Sequence, residues 1–136
     1  MELYLKEIQS IFKQHSNATI AKGAKAYLLH QFEFYGIKTP LRRKLSKDFY
    51  RAYPIHNAKE LKQLVQLCFN EPQRELHYFA IELLGFHKNL WSKKTLPLIE
   101  WMLTHNSWWD SVDSTNTHVI GKYFLQFPEF IPKVTD

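Results

Sequence analysis

The sequence predicts an all-α fold of about seven short helices, paired antiparallel and stacked as an α-solenoid. Three observations predict it. Apolar residues recur at three- and four-residue spacing along most of the chain. Proline, asparagine and serine punctuate these stretches at positions that start and stop helices. No segment alternates apolar and polar residues between regularly spaced turns, as half-buried strands do. The 136 residues suffice for one domain, and a hydrophobic content of 45% supplies its core without staples. No linker is visible, so residues 1–136 read as a single helical-repeat domain.

The first helix is expected over about 2–15, from Leu3, Leu5, Ile8, Ile11 and Phe12. Asn17 can cap a second, about 18–31, followed by an aromatic connection that ends at a turn glycine, Gly36. Thr39 and Pro40 read as a hydroxyl N-cap followed by proline at the first helical position, opening a third helix to about Tyr53. Asn57 to Glu60 resembles a capping box and opens a fourth, to about Phe69. Pro72 opens a fifth, containing Leu76, Phe79, Ala80, Leu83 and Leu84. A sixth spans about Lys94–Thr104. Ser107 to Asp110 forms another capping box, opening a seventh to about Gln126. Connections are short, so neighbours should pack antiparallel. This pattern alone does not separate a solenoid from a compact bundle. The apolar ending around Phe130 and Ile131 is unlike a polar capping repeat, so the chain is expected to be truncated or covered at that end.

Composition narrows the function classes. Cys68 is the single cysteine, which rules out a disulfide within the chain and a cysteine-rich zinc site. Met1 leads straight into a mixed-charge amphipathic stretch, and no apolar run approaches the ~18 residues of a membrane span. A cytoplasmic protein without membrane contact is expected. The seven histidines lack metal-ligand spacing, and no metal or cofactor is expected. Net charge is +5 and unevenly placed: residues 1–60 hold 11 Lys/Arg against 5 Asp/Glu. A basic first half is the footprint of a nucleic-acid binder, although many solvated helix faces are this basic.

Two places carry chemistry. On the third helix, Leu41, Leu45, Phe49 and Ala52 share one face at ~100° per residue, whereas Arg43, Lys44, Lys47 and Arg51 occupy the other. The basic face reads either as a solvated surface or as a phosphate-contact surface that Lys22, Lys25, Lys38 and Arg42 could extend. On the seventh helix, Trp108, Val112, Val119 and Tyr123 should form the buried stripe. Asp113 stands one turn beyond Trp109 on one face. Asp110 belongs to the capping box and is expected to be structural, whereas Asp113 is too far into the helix to cap it. Trp109 could be core packing, and Asp113 a surface carboxylate. As a pair they suit a cationic substrate, because a tryptophan face attracts cations by roughly 0.5–2 kcal/mol. A carboxylate also stabilises positive charge developing in a reaction.

Ser107–Asp113, Ser-Trp-Trp-Asp-Ser-Val-Asp, resembles the SWWDxVD motif of the AlkD-like DNA alkylation repair family. The segments Phe34–Arg43 and Pro72–Ala80 are similar to two further family segments. The resemblance spans essentially the whole chain. It implies a HEAT-like repeat fold that cradles duplex DNA and excises cationic N3- and N7-alkylated purines by hydrolysing the N-glycosidic bond. It further implies that Asp113 is the catalytic aspartate, that Trp109 contacts the backbone and deoxyribose beside the lesion, and that Tyr27 and Lys38 contact DNA with the basic face. Lys38 stands where some members carry glutamine. The family chain continues past residue 136 with a catalytic arginine and a second aromatic wall, so this chain alone is expected to be inactive or very weak. Homo-oligomerisation is not expected of the full-length form. The alternative is a helical-repeat module that binds nucleic acid or protein and catalyses nothing.

Overall fold

The computed structural model describes residues 1–106 and 109–130, without the side chain of Trp109. The described residues form helices α1 (Glu2–Gln14), α2 (Ala18–Tyr27), α3 (Thr39–Ala52), α4 (Ala58–Phe69), α5 (Arg74–Phe86) and α6 (Thr95–Thr104). A last helical run starts as α7 (Trp109–Thr115), passes through a π-helical turn (Asn116–Ile120) and ends as α8 (Gly121–Gln126). Short 3₁₀ turns stand at Lys88–Leu90 and Pro128–Phe130. The all-α expectation holds, and each expected helix has a counterpart, although α2 ends early, α5 starts at Arg74 and not at Pro72, and the seventh is interrupted by the π turn.

Local rules explain several starts. Asn17 Oδ1 accepts from the Ile20 N–H at 3.0 Å, and Asn57 Oδ1 from the Glu60 N–H at 2.8 Å, so both expected caps form. Thr39 does not cap α3. It is the first helical residue, and the capping position falls to Lys38, which makes no side-chain cap bond. The second helix stops at Tyr27, four residues before the expected end. Leu29 and His30 take left-handed φ values of 55° and 59° there, which turns the chain while Leu28 stays buried. Ser107 and Trp108, on which the last capping box depended, lie outside the described residues.

Helix α5 is the centre of the core. Ten of its 13 residues are buried, and it packs against α3, α4, α7 and the π turn. Phe12 from α1, Leu64, Val65 and Phe69 from α4, and Met102 from α6 complete the same cluster. Burying so many apolar side chains, each worth roughly 1.5–3 kcal/mol, is what holds short helices of modest intrinsic stability in place. Two glycines allow close approach. Gly36 has φ 92°, and a Cβ there would collide with the Asn17 carbonyl oxygen and come within 2.7 Å of the Ala21 nitrogen. A Cβ on Gly85 would lie 2.8 Å from the His118 carbonyl oxygen, so α5 touches the backbone of the π turn directly.

The core stripe of α3 differs from the expected one. Arg42, Ser46, Phe49 and Tyr50 are buried, Leu45 is half-buried, and Leu41 and Ala52 are exposed. The helix is rotated by about one residue from the purely apolar choice. Arg42 goes inward because α5 supplies its counter-charge: Nη1 lies 2.5 Å from Glu82 Oε2, with side chains 7% and 9% exposed. Arg42 therefore does not extend the basic surface. In the last helical run, Val119 and Tyr123 are buried as expected, but Val112 is only half-buried. Ser111 and Thr115 complete the stripe, with the Thr115 hydroxyl donating to the Ser111 carbonyl at 2.7 Å.

Candidate nucleic-acid interface

Arg43, Lys44, Lys47 and Arg51 are all exposed on α3, and Lys38 is exposed at its start. With Arg42 turned inward, the helix presents cations outward along its length. Arg43 and Lys47 form one wall of a groove of about 430 Å³. Lys88, from the 3₁₀ turn after α5, and His118 and Lys122, from the last helical run, line the same groove, with Glu82 among them. Cations from three separate elements thus converge on one concave feature. That convergence distinguishes the groove from a merely solvated helix face: its one carboxylate, Glu82, is already paired with Arg42, and the gathered lysine and arginine charges raise the local potential for anions. The His118 imidazole is held below its ordinary value, chiefly by burial; Glu82 opposes the shift, and Arg43, Lys122 and Arg42 add to it.

A second cavity, of about 220 Å³, has Arg42 in its lining. Tyr27, 71% exposed at the end of α2, stands at its edge. Thr39, Arg42, Glu75, Tyr78 and Asp110 contribute to its walls. Arg42 borders this cavity, and its ion-pair partner Glu82 borders the first.

Asp110 is the anchor of the last helical run. Arg74 Nη2 donates to its Oδ1 at 2.6 Å and Nε to its Oδ2 at 3.3 Å, and the Tyr78 hydroxyl donates to Oδ2 as well. Burial alone would raise this carboxyl; the Arg74 and Tyr78 bonds outweigh it and hold it below the ordinary aspartate value. The Tyr78 hydroxyl is pushed up, by burial first and then by its bond to Asp110. Asp110 is therefore structural, although its partners are α5 side chains 32 and 36 residues away.

Asp113 is exposed, one turn beyond Asp110. Asp110 lines the Tyr27 cavity, whereas Asp113, three residues on, lines neither that cavity nor the cationic groove. The side chain of Trp109 lies outside the described residues, so the Trp109/Asp113 pairing stays an inference from spacing. Tyr27 does not line the groove of Arg43 and Lys47; it belongs to the neighbouring cavity.

Several organising residues went unnoticed in the sequence. Glu75, buried on α5, accepts the backbone N–H groups of Tyr35 and Gly36 at 3.0 Å each and of Ile37 at 3.4 Å. It thereby fixes the loop that leads to Lys38. Glu82 sets the rotation of α3, and Lys88, His118 and Lys122 complete the cationic groove. One signal was available: Arg74, Glu75 and Glu82 are charged residues in an otherwise apolar helix, and such residues are buried only with partners.

Among the described residues there is no cluster of His, Cys, Asp or Glu that could hold a metal ion, and no helix long and apolar enough to cross a membrane. The model of the DNA alkylation repair enzyme family matches residues 8–136, and the chain belongs to that family. A solved structure, a predicted DNA alkylation repair enzyme from Enterococcus faecalis, is 27% identical and superimposes with a TM-score of 0.75. The match covers 85% of this chain and 54% of that one, so the chain spans about half the length of this solved relative. No curated protein matches.

Proposed function

We propose that this protein acts in DNA repair as an AlkD-like glycosylase that excises cationic N3- and N7-alkylated purines from duplex DNA. The observation that carries this reading is the placement of Asp113. It is an exposed carboxylate one turn beyond an anchored one, on a helical run whose next turns border a groove of converging lysine and arginine side chains. The groove suits the phosphodiester backbone, and an exposed carboxylate on the same helical run suits positive charge developing on a sugar. Alkylation at N3 or N7 makes the purine cationic, so it departs as a neutral base with the glycosidic electron pair. The deoxyribose gains oxocarbenium character, which Asp113 would stabilise electrostatically until water adds at C1′ and loses its proton. Trp109 would contact the sugar–phosphate beside the lesion. Tyr27, Lys38, Arg43, Lys44, Lys47 and Arg51 would contact the backbone. No metal ion or cofactor is needed for these steps.

The second reading is a helical-repeat module that binds nucleic acid without chemistry. The chain's match to about half of its solved relative favours keeping it in view, because a whole protein's activity can need groups from both halves. Chromatography of the bases set free from a methylated duplex separates the two. The glycosylase reading expects 7-methylguanine or 3-methyladenine from the full-length protein. Binding that weakens steeply with salt, with no free base, would support the module instead.

A further inference from the structure

Arg74 is the most completely buried charged residue among the described residues, at 0% exposure. It cannot reach a substrate, and yet every donor it directs at α7 holds the segment from which the proposed chemistry projects. Its Nη1 donates to the Asn106 carbonyl oxygen at 2.5 Å, while Nη2 and Nε grip the Asp110 carboxylate. One planar guanidinium thus holds both Asn106 and Asp110, ahead of Asp113. The fork is itself immobilised: its carbon lies 3.8 Å over the Phe32 ring, and Nη1 also reaches His77 Nδ1 at 3.1 Å. Asn106 is tied from the other side, its Nδ2 donating to the Phe69 carbonyl at 2.5 Å, and it holds a left-handed φ of 48°. Tyr78, one turn after Arg74 on α5, supplies the second grip on Asp110.

We propose that Arg74, assisted by Tyr78, is a positioning residue for the glycosylase reaction: it sets the direction of α7, and so the place of Asp113, through Asp110 and Asn106. This rests on the glycosylase reading above. The geometry also divides the work between the two carboxylates. Asp110 has both oxygens occupied by buried Arg74 and half-buried Tyr78 and serves as a handle, whereas Asp113, exposed, is the group left to face the sugar. A buried pair that only stabilised the fold would not need to bracket this segment.

The test uses the full-length protein and a duplex with a single 7-methylguanine. Single-turnover release at saturating enzyme is measured for the parent, Tyr78→Phe, Arg74→Lys, Asp113→Asn and Arg74→Lys/Asp113→Asn, with duplex Kd and Tm alongside. Misplacing a reacting group by about 1 Å costs up to ~10²-fold in rate. Release should therefore fall roughly tenfold in Tyr78→Phe and approach ~10²-fold in Arg74→Lys, with Kd changed less than about threefold. The double variant should be no slower than Asp113→Asn alone, because residues acting through one group are not additive. Should Arg74→Lys fail to fold, Tyr78→Phe and its double with Asp113→Asn carry the same comparison. Parent-like release by Tyr78→Phe and Arg74→Lys, or fully multiplicative losses in the doubles, would overturn the positioning role while leaving the glycosylase reading intact. Absence of release by the parent itself would overturn both.

Discussion

Replacing Glu82 by Gln leaves Arg42 charged, 7% exposed at its side chain and without a counter-ion. The Tyr78 ring, 4.9 Å from the guanidinium carbon, offers only a partial substitute. Removing one member of a buried pair costs about 3–5 kcal/mol, because the remaining charge keeps its desolvation penalty and loses its compensation. With a urea slope of about 2 kcal/mol/M, the midpoint should fall by roughly 1.5–2.5 M. The double variant Arg42→Leu/Glu82→Leu removes both charges and should recover most of that loss. The cycle then reports a coupling energy of at least ~2 kcal/mol. Urea unfolding followed by far-ultraviolet circular dichroism measures the four corners of the cycle (parent, Arg42→Leu, Glu82→Leu and the double) with Glu82→Gln beside them. A single-variant loss below ~1 kcal/mol, or a double variant as poor as the sum of its singles, would refute the claim that this pair sets the rotation of α3. The consequence reaches function, since that rotation aims Arg43 and Lys47 into the groove opposite His118 and Lys122.

Further outcomes are expected elsewhere. Stability should decline as pH falls from 6.5 toward 4, because His77 is pushed down to about 4 by burial and takes its proton in the unfolded chain first. The unfolded state binds more protons throughout that window, so unfolding free energy has a positive slope with pH. The His77 shift alone corresponds to roughly 3 kcal/mol. Its ring explains the direction: Nε2–H donates to the Glu71 carbonyl and Nδ1 accepts from Arg74, so a second proton would meet the guanidinium. His87, also lowered by burial, behaves alike, since its Nε2 accepts from the Ile55 N–H. Thermal melts of the parent and His77→Phe across this range check it, and identical pH slopes would contradict it. Gly36→Ala should lower Tm by several degrees, because φ 92° and the Asn17 carbonyl both oppose a Cβ; an unchanged melt would count against the packing of that loop. Lys47→Gln/Lys122→Gln should weaken duplex binding and reduce the salt slope by up to about 2, at ~0.9 per phosphate contact; an unchanged slope would remove both lysines from the interface.

What the sequence discloses follows the range of the interactions involved. The caps at Asn17 and Asn57 are legible because each is settled within three residues. The four outward cations of α3 were also legible, since apolar Phe49 fixed the opposite side. Arg42 was misassigned to the surface because its burial depends on Glu82, 40 residues away. The close approach of α5 to the π turn is likewise not legible locally: Gly85 leaves room for the His118 carbonyl, and nothing near residue 118 announces that. For the site, spacing separated Asp113 from Asp110. It could not show that Asp110 is held by Arg74 and Tyr78, or that Lys88 and Lys122 join Arg43 and Lys47.

The central claim is that Asp113 serves glycosidic bond cleavage in alkylated DNA. Its most direct measurement is single-turnover release of 7-methylguanine from duplex DNA by the full-length protein, compared with Asp113→Asn at saturating enzyme. Removing an electrostatic stabiliser of a developing charge costs about 10²–10³-fold in rate. The account predicts a loss of that order with duplex affinity retained. Equal rates for the two proteins would contradict it.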